Sequence, residues 1–427
     1  MPSPHRVILS AAVPLMLSLS AGIIAQVTGT SLLGRHATAD LAAFALLAAV
    51  MVPVNAAVAG AVRGMAPFVA TCRDRPAEAL PLLKDARWLS LAAGAVGAGV
   101  MLGVPLIARA GGVSGRVAAE FGVLPQLFAL QVLLAAAGGG AGGMLIALGH
   151  SRRVLWPGLT GTALHVLLLV LLVPRLGVQG TGIAGLISTA VSVALSNLLL
   201  RRLPELAGRS LWPGRPRFRE IARMARVGLP MSGTLIIKSA VMGTVTYAAA
   251  GGGAHAAAAH AILLSVEGPI GLIAFATGQA ATPEIARSAT RGEARRFIGA
   301  ALTVAATGVS AGALLLLLLG EAVLRLFTTD ARVLALTLGL LPLLAIYALT
   351  ENCVIVMSAC LMGLKRSGWI LLSASVGHGA LAVAVTPVTA TWGLTGLWTA
   401  LIVSRVLVLA MQTIGLLRHG APPPGSR

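Results

Sequence analysis

The sequence predicts an all-α polytopic membrane protein, with twelve transmembrane helices arranged as two six-helix bundles related by a pseudo-twofold axis along the membrane normal. Three observations lead there. The 427-residue chain is 57% hydrophobic and only 11% charged, with a mean hydropathy of +0.91, whereas a water-soluble domain carries about 25% charged residues. Its apolar residues fall into long runs separated by short breaks rich in Arg, Gly and Pro, and about 20 such residues suffice to cross a bilayer. The second half of the chain also repeats the punctuation of the first.

The runs cover residues 8–33, 41–70, 88–108, 118–148, 154–174, 179–200, 227–250, 256–282, 298–320, 331–363, 368–389 and 393–417. The first follows Arg6 and contains small residues, as a signal peptide does. With eleven further runs behind it, a retained helix is the expectation. Strands are not expected, because barrel segments are about 10 residues long and alternate strictly, and these runs are long and unbroken.

Topology follows from the basic residues, since positively charged loops stay in the cytoplasm. Of 32 Lys and Arg, 23 lie on one side of the predicted spans, eight of them between Arg201 and Arg226, and six on the other. Both termini are therefore expected in the cytoplasm. The formal net charge of +19 is a topology signal and gives no support to nucleic-acid binding. Cys72, Cys353 and Cys360 have neither disulfide nor metal-ligand spacing, and no metal site is expected.

The repeat is specific. Pro14, Pro53, Pro67, Gly177 and Gly180 recur 216 positions later as Pro230, Pro269, Pro283, Gly393 and Gly396, while Trp156, His165 and Pro174 recur 213 positions later as Trp369, His378 and Pro387. The implied organisation is an amino-terminal six-helix lobe over 1–200, a cytoplasmic linker over 201–226, a carboxy-terminal lobe over 227–417 and a cytoplasmic tail over 418–427. Two equivalent bundles can rock about a central site, the architecture of alternating-access transport. Pro53 and Pro269 interrupt matching helices and are candidate hinges; a tolerated kink explains them equally well.

Charged side chains at the bilayer centre cost about 2.5 to 3.5 kcal/mol each on insertion scales, so those present must face partners or water. Lys238, Glu267, Glu351 and Arg405 lie mid-span, all in the second half. The first half has no mid-span carboxylate, and its polar content is milder: Gln26, Asn55 and His165. Tyr347 precedes Glu351 by four positions and shares its helix face. Glu351 with Lys238 is read as an ion-coupling site, the competing reading being a structural salt bridge between spans 7 and 10. Tyr347, Glu267, His378, Arg405, Gln26, Asn55 and His165 are candidate cavity residues. For the two histidines the alternative is a neutral interhelical hydrogen bond; for Glu267 and Arg405 it is helix packing. The glycine runs at 138–143 and 250–253 permit close helix approach, and no motif of a soluble enzyme is present.

Several segments resemble one transporter family. The stretch AAHAILLSVEGPIGLIAFATGQAAT at 258–282 with RGEARR at 291–296, GLP at 228–230, LLG at 32–34 with TADLAA at 38–43, and LMGLKRSGW at 361–369 are similar to segments of the MATE (multidrug and toxic compound extrusion) transporters. The resemblance covers nearly the whole chain. It implies a monomeric secondary antiporter of the cytoplasmic membrane that exports a small organic molecule in exchange for protons or sodium ions, with no other cofactor and no nucleic-acid partner.

Carried over residue by residue, the family's tenth-span acidic group falls on Glu351. Its seventh-span glutamate falls on Lys238, its first-span aspartate on Gly29, and its fifth-span asparagine and aspartate on Leu169 and Val173. The resemblance therefore implies that any coupling site has moved to the second half. A lysine beside Glu351 disfavours sodium, so protons are the expected ion. Neutral, zwitterionic or acidic cargo becomes compatible with the sequence. A lipid-linked oligosaccharide flippase is an alternative, although only two deep cations would meet its pyrophosphate. A membrane-embedded enzyme, or a non-transporting relative acting as a sensor, is another.

Overall fold

The computed structural model describes residues 3–36, 38–110, 121–138, 140–206 and 208–419. Arg116, the start of the run expected at 118–148 and the tail from residue 420 onward lie outside them. The described residues are helical almost throughout and contain no strand. In chain order the helices are α1 (Pro4–His36), α2 (Thr38–Arg63), α3 (Ala66–Ala70), α4 (Ala79–Leu102), α5 (Val104–Ala110), α6 (Leu124–Ala137), α7 (Ala141–Ala147), α8 (Ser151–Leu176), α9 (Val178–Arg201), α10 (Phe218–Gly251), α11 (Ala254–Arg287), α12 (Arg291–Arg325), α13 (Ala331–Gly363) and α14 (Ser367–His419).

Among the described residues, nine helical segments are long and apolar enough to cross a membrane, and α4 with α5, bent by 47°, makes a tenth span. The helix α14 is one of the nine, yet its 53 residues would extend about 80 Å at 1.5 Å per residue, far beyond one bilayer. Gly393 breaks it with φ 57° and ψ −147°, giving two spans. The twelfth is α10, 34 residues long, whose apolar run is diluted by Lys238. Twelve spans are thus accounted for, and each overlaps one expected from the sequence.

Contacts divide the chain into two units, Pro14–Leu235 and Ile236–Arg427 with Met1–Val13. The first has a core around Leu33, Leu47, Phe121, Phe128 and Leu169; the second has one around Leu263, Leu344, Tyr347, Trp398 and Leu401.

The internal repeat is visible in backbone geometry. Gly177 ends α8 with φ 53° and ψ −136°, nearly the conformation of Gly393, its equivalent 216 residues on. Side chains rarely tolerate this region, so glycine belongs there. Three residues after each turn the returning helix passes close to the one before it: a Cβ on Gly180 would stand 2.8 Å from the Leu172 carbonyl, and one on Gly396 2.8 Å from the Val388 carbonyl. Leu172 and Val388 are also 216 positions apart, so the same hairpin is built twice from the same two glycines. The RGEARR segment opens α12 with a capping box: Glu293 N donates to Thr290 Oγ1 at 3.2 Å, and Ala289 N donates to Glu293 Oε2 at 2.9 Å.

Candidate functional site

The charged centre lies inside the second unit. Glu351, on α13, is 3% exposed. One carboxylate oxygen is ion-paired with Lys238 Nζ of α10, and the other accepts from Arg405 Nη1 in the second arm of α14 at 3.1 Å. Arg405 is 2% exposed; its Nη2 donates to Ser404 Oγ at 3.2 Å, and that hydroxyl donates to Gly377 O at 2.9 Å. Lys238, 36% exposed, is the open side of the cluster.

Helical spacing puts these groups on facing stripes. Tyr347, Glu351 and Ser358 lie on one side of α13, while Trp398, Arg405 and Gln412, seven apart, lie on one side of α14. They meet rung by rung. Tyr347 packs edge-on to Trp398 with centroids 5.4 Å apart, Glu351 pairs with Arg405, and Gln412 Nε2 donates to Ser358 Oγ at 2.9 Å. His260 of α11 lies against the far side of this ladder, 5.6 Å from the Trp398 ring.

Glu267, half-buried on α11, lies beside Asn352, the residue after Glu351, and within electrostatic reach of Glu351 and Lys238. It stands over Gly271, where a Cβ would come within 3.4 Å of its Oε1. His378 bonds within its own helix, Nδ1 to Ala374 O at 2.9 Å, and its Nε2 is buried without a partner. Pro269 is an exposed interior residue of α11.

The first unit has a cavity of about 460 Å³, lined by residues of α1, α2, α6, α8 and α9, among them Gln26, Phe44, Gln131, Thr162, His165 and Ser192. Among the described residues, no Asp, Glu, Lys or Arg lines it. Gln26 and His165 are therefore in the cavity; Asn55 is exposed on α2 and does not line it, and Pro53 lies within the same helix. Gly29 and Leu169 also line it, so two positions where the resemblance led one to expect acidic or amide groups face the cavity with hydrogen and alkyl surface.

Sequence reasoning brought Glu351 and Lys238 together but gave Arg405 as a candidate cavity residue or a helix-packing one, and it passed over Gln131 and Asn352. Gln131 was the more findable: it is a polar side chain deep in an apolar run, the signal already used for Gln26.

The comparisons agree with this architecture. A family model, MatE, matches residues 230–388, the stretch that holds Lys238, Glu267, Glu351 and His378. A probable multidrug resistance protein NorM of Chromobacterium violaceum is 26% identical over 97% of this chain and 93% of its own length. One from Xanthomonas campestris is 28% identical over 96% and 95%.

The chain resembles the MATE transporters.

Among solved structures, an outward-facing multidrug resistance MATE transporter of the MOP superfamily shares the fold with a TM-score of 0.86 at 19% identity, covering 98% of this chain and 96% of that one. A MOP superfamily transporter from Pyrococcus furiosus, whose reversed binding-pocket polarity is taken to suggest a different function, matches with a TM-score of 0.83 at 20% identity over 98% and 96%. MATE proteins are transporters and not enzymes, and the chemistry to be explained here is binding and conformational change.

Proposed function

We propose that the chain is a secondary efflux antiporter that carries small organic compounds out across the cytoplasmic membrane by alternating access. Its coupling ion is a proton taken up at the Glu351–Lys238–Arg405 cluster. In this reading the chain works as a monomer, both termini are cytoplasmic, and Pro53 and Pro269 are the points of bending.

The observation that carries the reading is Glu351 held between two cations in a family whose relatives include NorM multidrug resistance proteins. Protonation removes the one negative charge that joins α10, α13 and α14, so a single proton releases two ion pairs at once. In a low-dielectric interior, losing one partner of a buried pair costs about 3 to 5 kcal/mol, enough to shift a conformational equilibrium by a factor of about 150 to 5,000. Sodium fits less well, because both carboxylate oxygens of Glu351 already face positive charges. Glu267, within electrostatic reach of Glu351 and Lys238, is the second group able to exchange a proton there.

Proteoliposomes loaded with an organic substrate and given either a pH or a sodium gradient test this. Export driven by the pH gradient and lost in Glu351→Gln is the expected result. Coupled export that survives unchanged in Glu351→Gln removes the role assigned to that residue.

A further inference from the structure

We infer that the cargo held in the amino-terminal unit's cavity is an uncharged molecule that carries hydrogen-bond donors. This rests on the transport reading above and names the class of its substrate. A volume of about 460 Å³ lies in the range usual for small-molecule sites, about 300 to 1,000 Å³.

The lining decides the class. With no carboxylate in the wall, a cation entering the cavity would give up hydration and gain no counter-charge. The aromatic wall of Phe44 and Phe128, set edge to face with centroids 6.4 Å apart, recovers only part of that loss through cation–π attraction. The same wall suits a neutral ring.

The wall offers acceptors beside the amide N–H groups of Gln26 and Gln131. Gln131 Oε1 is buried with no hydrogen-bond partner, and it lies where a Cβ on Gly185 would stand 2.8 Å away. Gly185 thus makes room for the amide. A buried acceptor left unpaired is unfavourable, and a small rotation of the Gln131 side chain offers it to a donor in the cavity.

His165 gives a second acceptor. Ser188 Oγ has one hydrogen and donates it to Gly185 O at 3.0 Å. The tautomer that fits both contacts has His165 Nδ1 donating to Ser188 Oγ at 2.9 Å, with Nε2 of the neutral ring as an acceptor. Ser192 directs its own hydroxyl away, to Pro157 O at 3.1 Å. A neutral aromatic molecule bearing amide or hydroxyl hydrogens satisfies this set.

The test uses the purified full-length protein in detergent, with no gradient, and equilibrium dialysis of radiolabelled chloramphenicol, a neutral ring compound with hydroxyl and amide donors. Saturable binding is expected, not displaced by the cation ethidium, and weakened about five- to tenfold in Gln131→Leu, the range for one lost hydrogen bond. Gln131→Glu, nearly identical in shape, should weaken chloramphenicol and let ethidium compete. Gln26→Leu, on a different helix, guards against a folding defect in the Gln131 variants and should also weaken binding. The inference is overturned if the wild type does not bind chloramphenicol saturably, if ethidium displaces it from the wild type, or if both leucine variants bind it as the wild type does. Binding without export in vesicles would remove the transport reading and leave the cavity assignment; gradient-driven export of ethidium without chloramphenicol binding would do the reverse.

Discussion

The two halves of this chain share a backbone plan and differ in where they keep their charge. Gly177 and Gly393 make the same turn, and Gly180 and Gly396 the same close approach. Yet the equivalent histidines do different things. His165 lines an uncharged cavity and bonds to Ser188 across to the next helix, whereas His378 bonds to its own helix beside the Glu351 cluster. The first half places its buried carboxylate, Asp85, near the segment that follows α9, where Arg217 contacts it through Nε at 2.7 Å and Nη2 at 2.6 Å. The second half places its own in the middle of a span. Duplication thus preserved the constraints set by backbone sterics and released those set by side-chain chemistry, as expected when function resides in sites grafted onto a fold.

The largest effect expected from breaking this contrast is at Glu351. Glu351→Ala leaves Lys238 and Arg405 without their shared counter-charge and should abolish coupled export and destabilise the protein by about 3 to 5 kcal/mol. Thermal melting in detergent and vesicle transport measure the two losses separately. Arg405→Met combined with Glu351→Leu removes the pair between the enclosed helices, and the double variant should melt above either single one while remaining inactive. If it melts no higher, the ion pair itself is what stabilises the core.

The equivalent glycines come next. Alanine at Gly393 meets no neighbour within 4 Å, so its penalty is backbone strain alone, about 1 to 3 kcal/mol. Alanine at Gly177 meets the same strain and also crowds Asp40 and His36 Cε1. Asp40 is the carboxylate that accepts from Val178 N at 3.2 Å and pairs with His36 at 2.8 Å. Gly177→Ala should therefore lower the melting temperature more than Gly393→Ala; equal losses would mean that the two turns are not distinguished by their surroundings.

A smaller loss is expected at Asp85. Asp85→Ala removes the partner of Arg217, whose side chain is about half exposed, so about 1 kcal/mol is a fair expectation. Its clearest readout is local: faster tryptic cleavage between Arg209 and Arg219, a segment also held by Trp88 Nε1 donating to Gly214 O at 2.9 Å. Cleavage unchanged from wild type would show that the tryptophan bond alone suffices.

The smallest effect concerns pH at the start of α13. The backbone N–H groups of Val333 and Arg332 hold the exposed Asp330 carboxyl below its ordinary value of 3.8. Such a group stabilises the helix start above pH about 4, and the contribution fades as pH falls through the lowered value. Hydrogen exchange at Val333 and Leu334 should accelerate there in the wild type. In Asp330→Asn, which still caps, the acceleration should be absent.

Most of the fold was legible because bilayer length, proline and glycine leave marks in one dimension. Pro174 and Gly177 closing one hairpin, and Pro387 and Gly393 the other, could be paired by counting alone. The charged site was half legible. Glu351 and Lys238 stand out in apolar runs, but that Arg405 shares the same carboxylate depends on the rung at which α13 meets α14, which spacing along one helix does not specify. The cavity of the first unit was the least legible. Gln131 stands out in its apolar run, but that its amide oxygen is left unpaired depends on the room made by Gly185 on another helix, a matter of space rather than of residue type.

The ladder between α13 and α14 has a mechanical consequence. Its three rungs are chemically unlike: aromatic on aromatic, acid on base, amide on hydroxyl. Sliding one helix past the other by a single turn, about 5.4 Å, would mismatch all three together. The two helices are therefore geared in one register for as long as the acid–base rung is charged. Lys238, a third exposed, stands outside the ladder, so α10 is tied to it through an open ion pair and not through an enclosed rung.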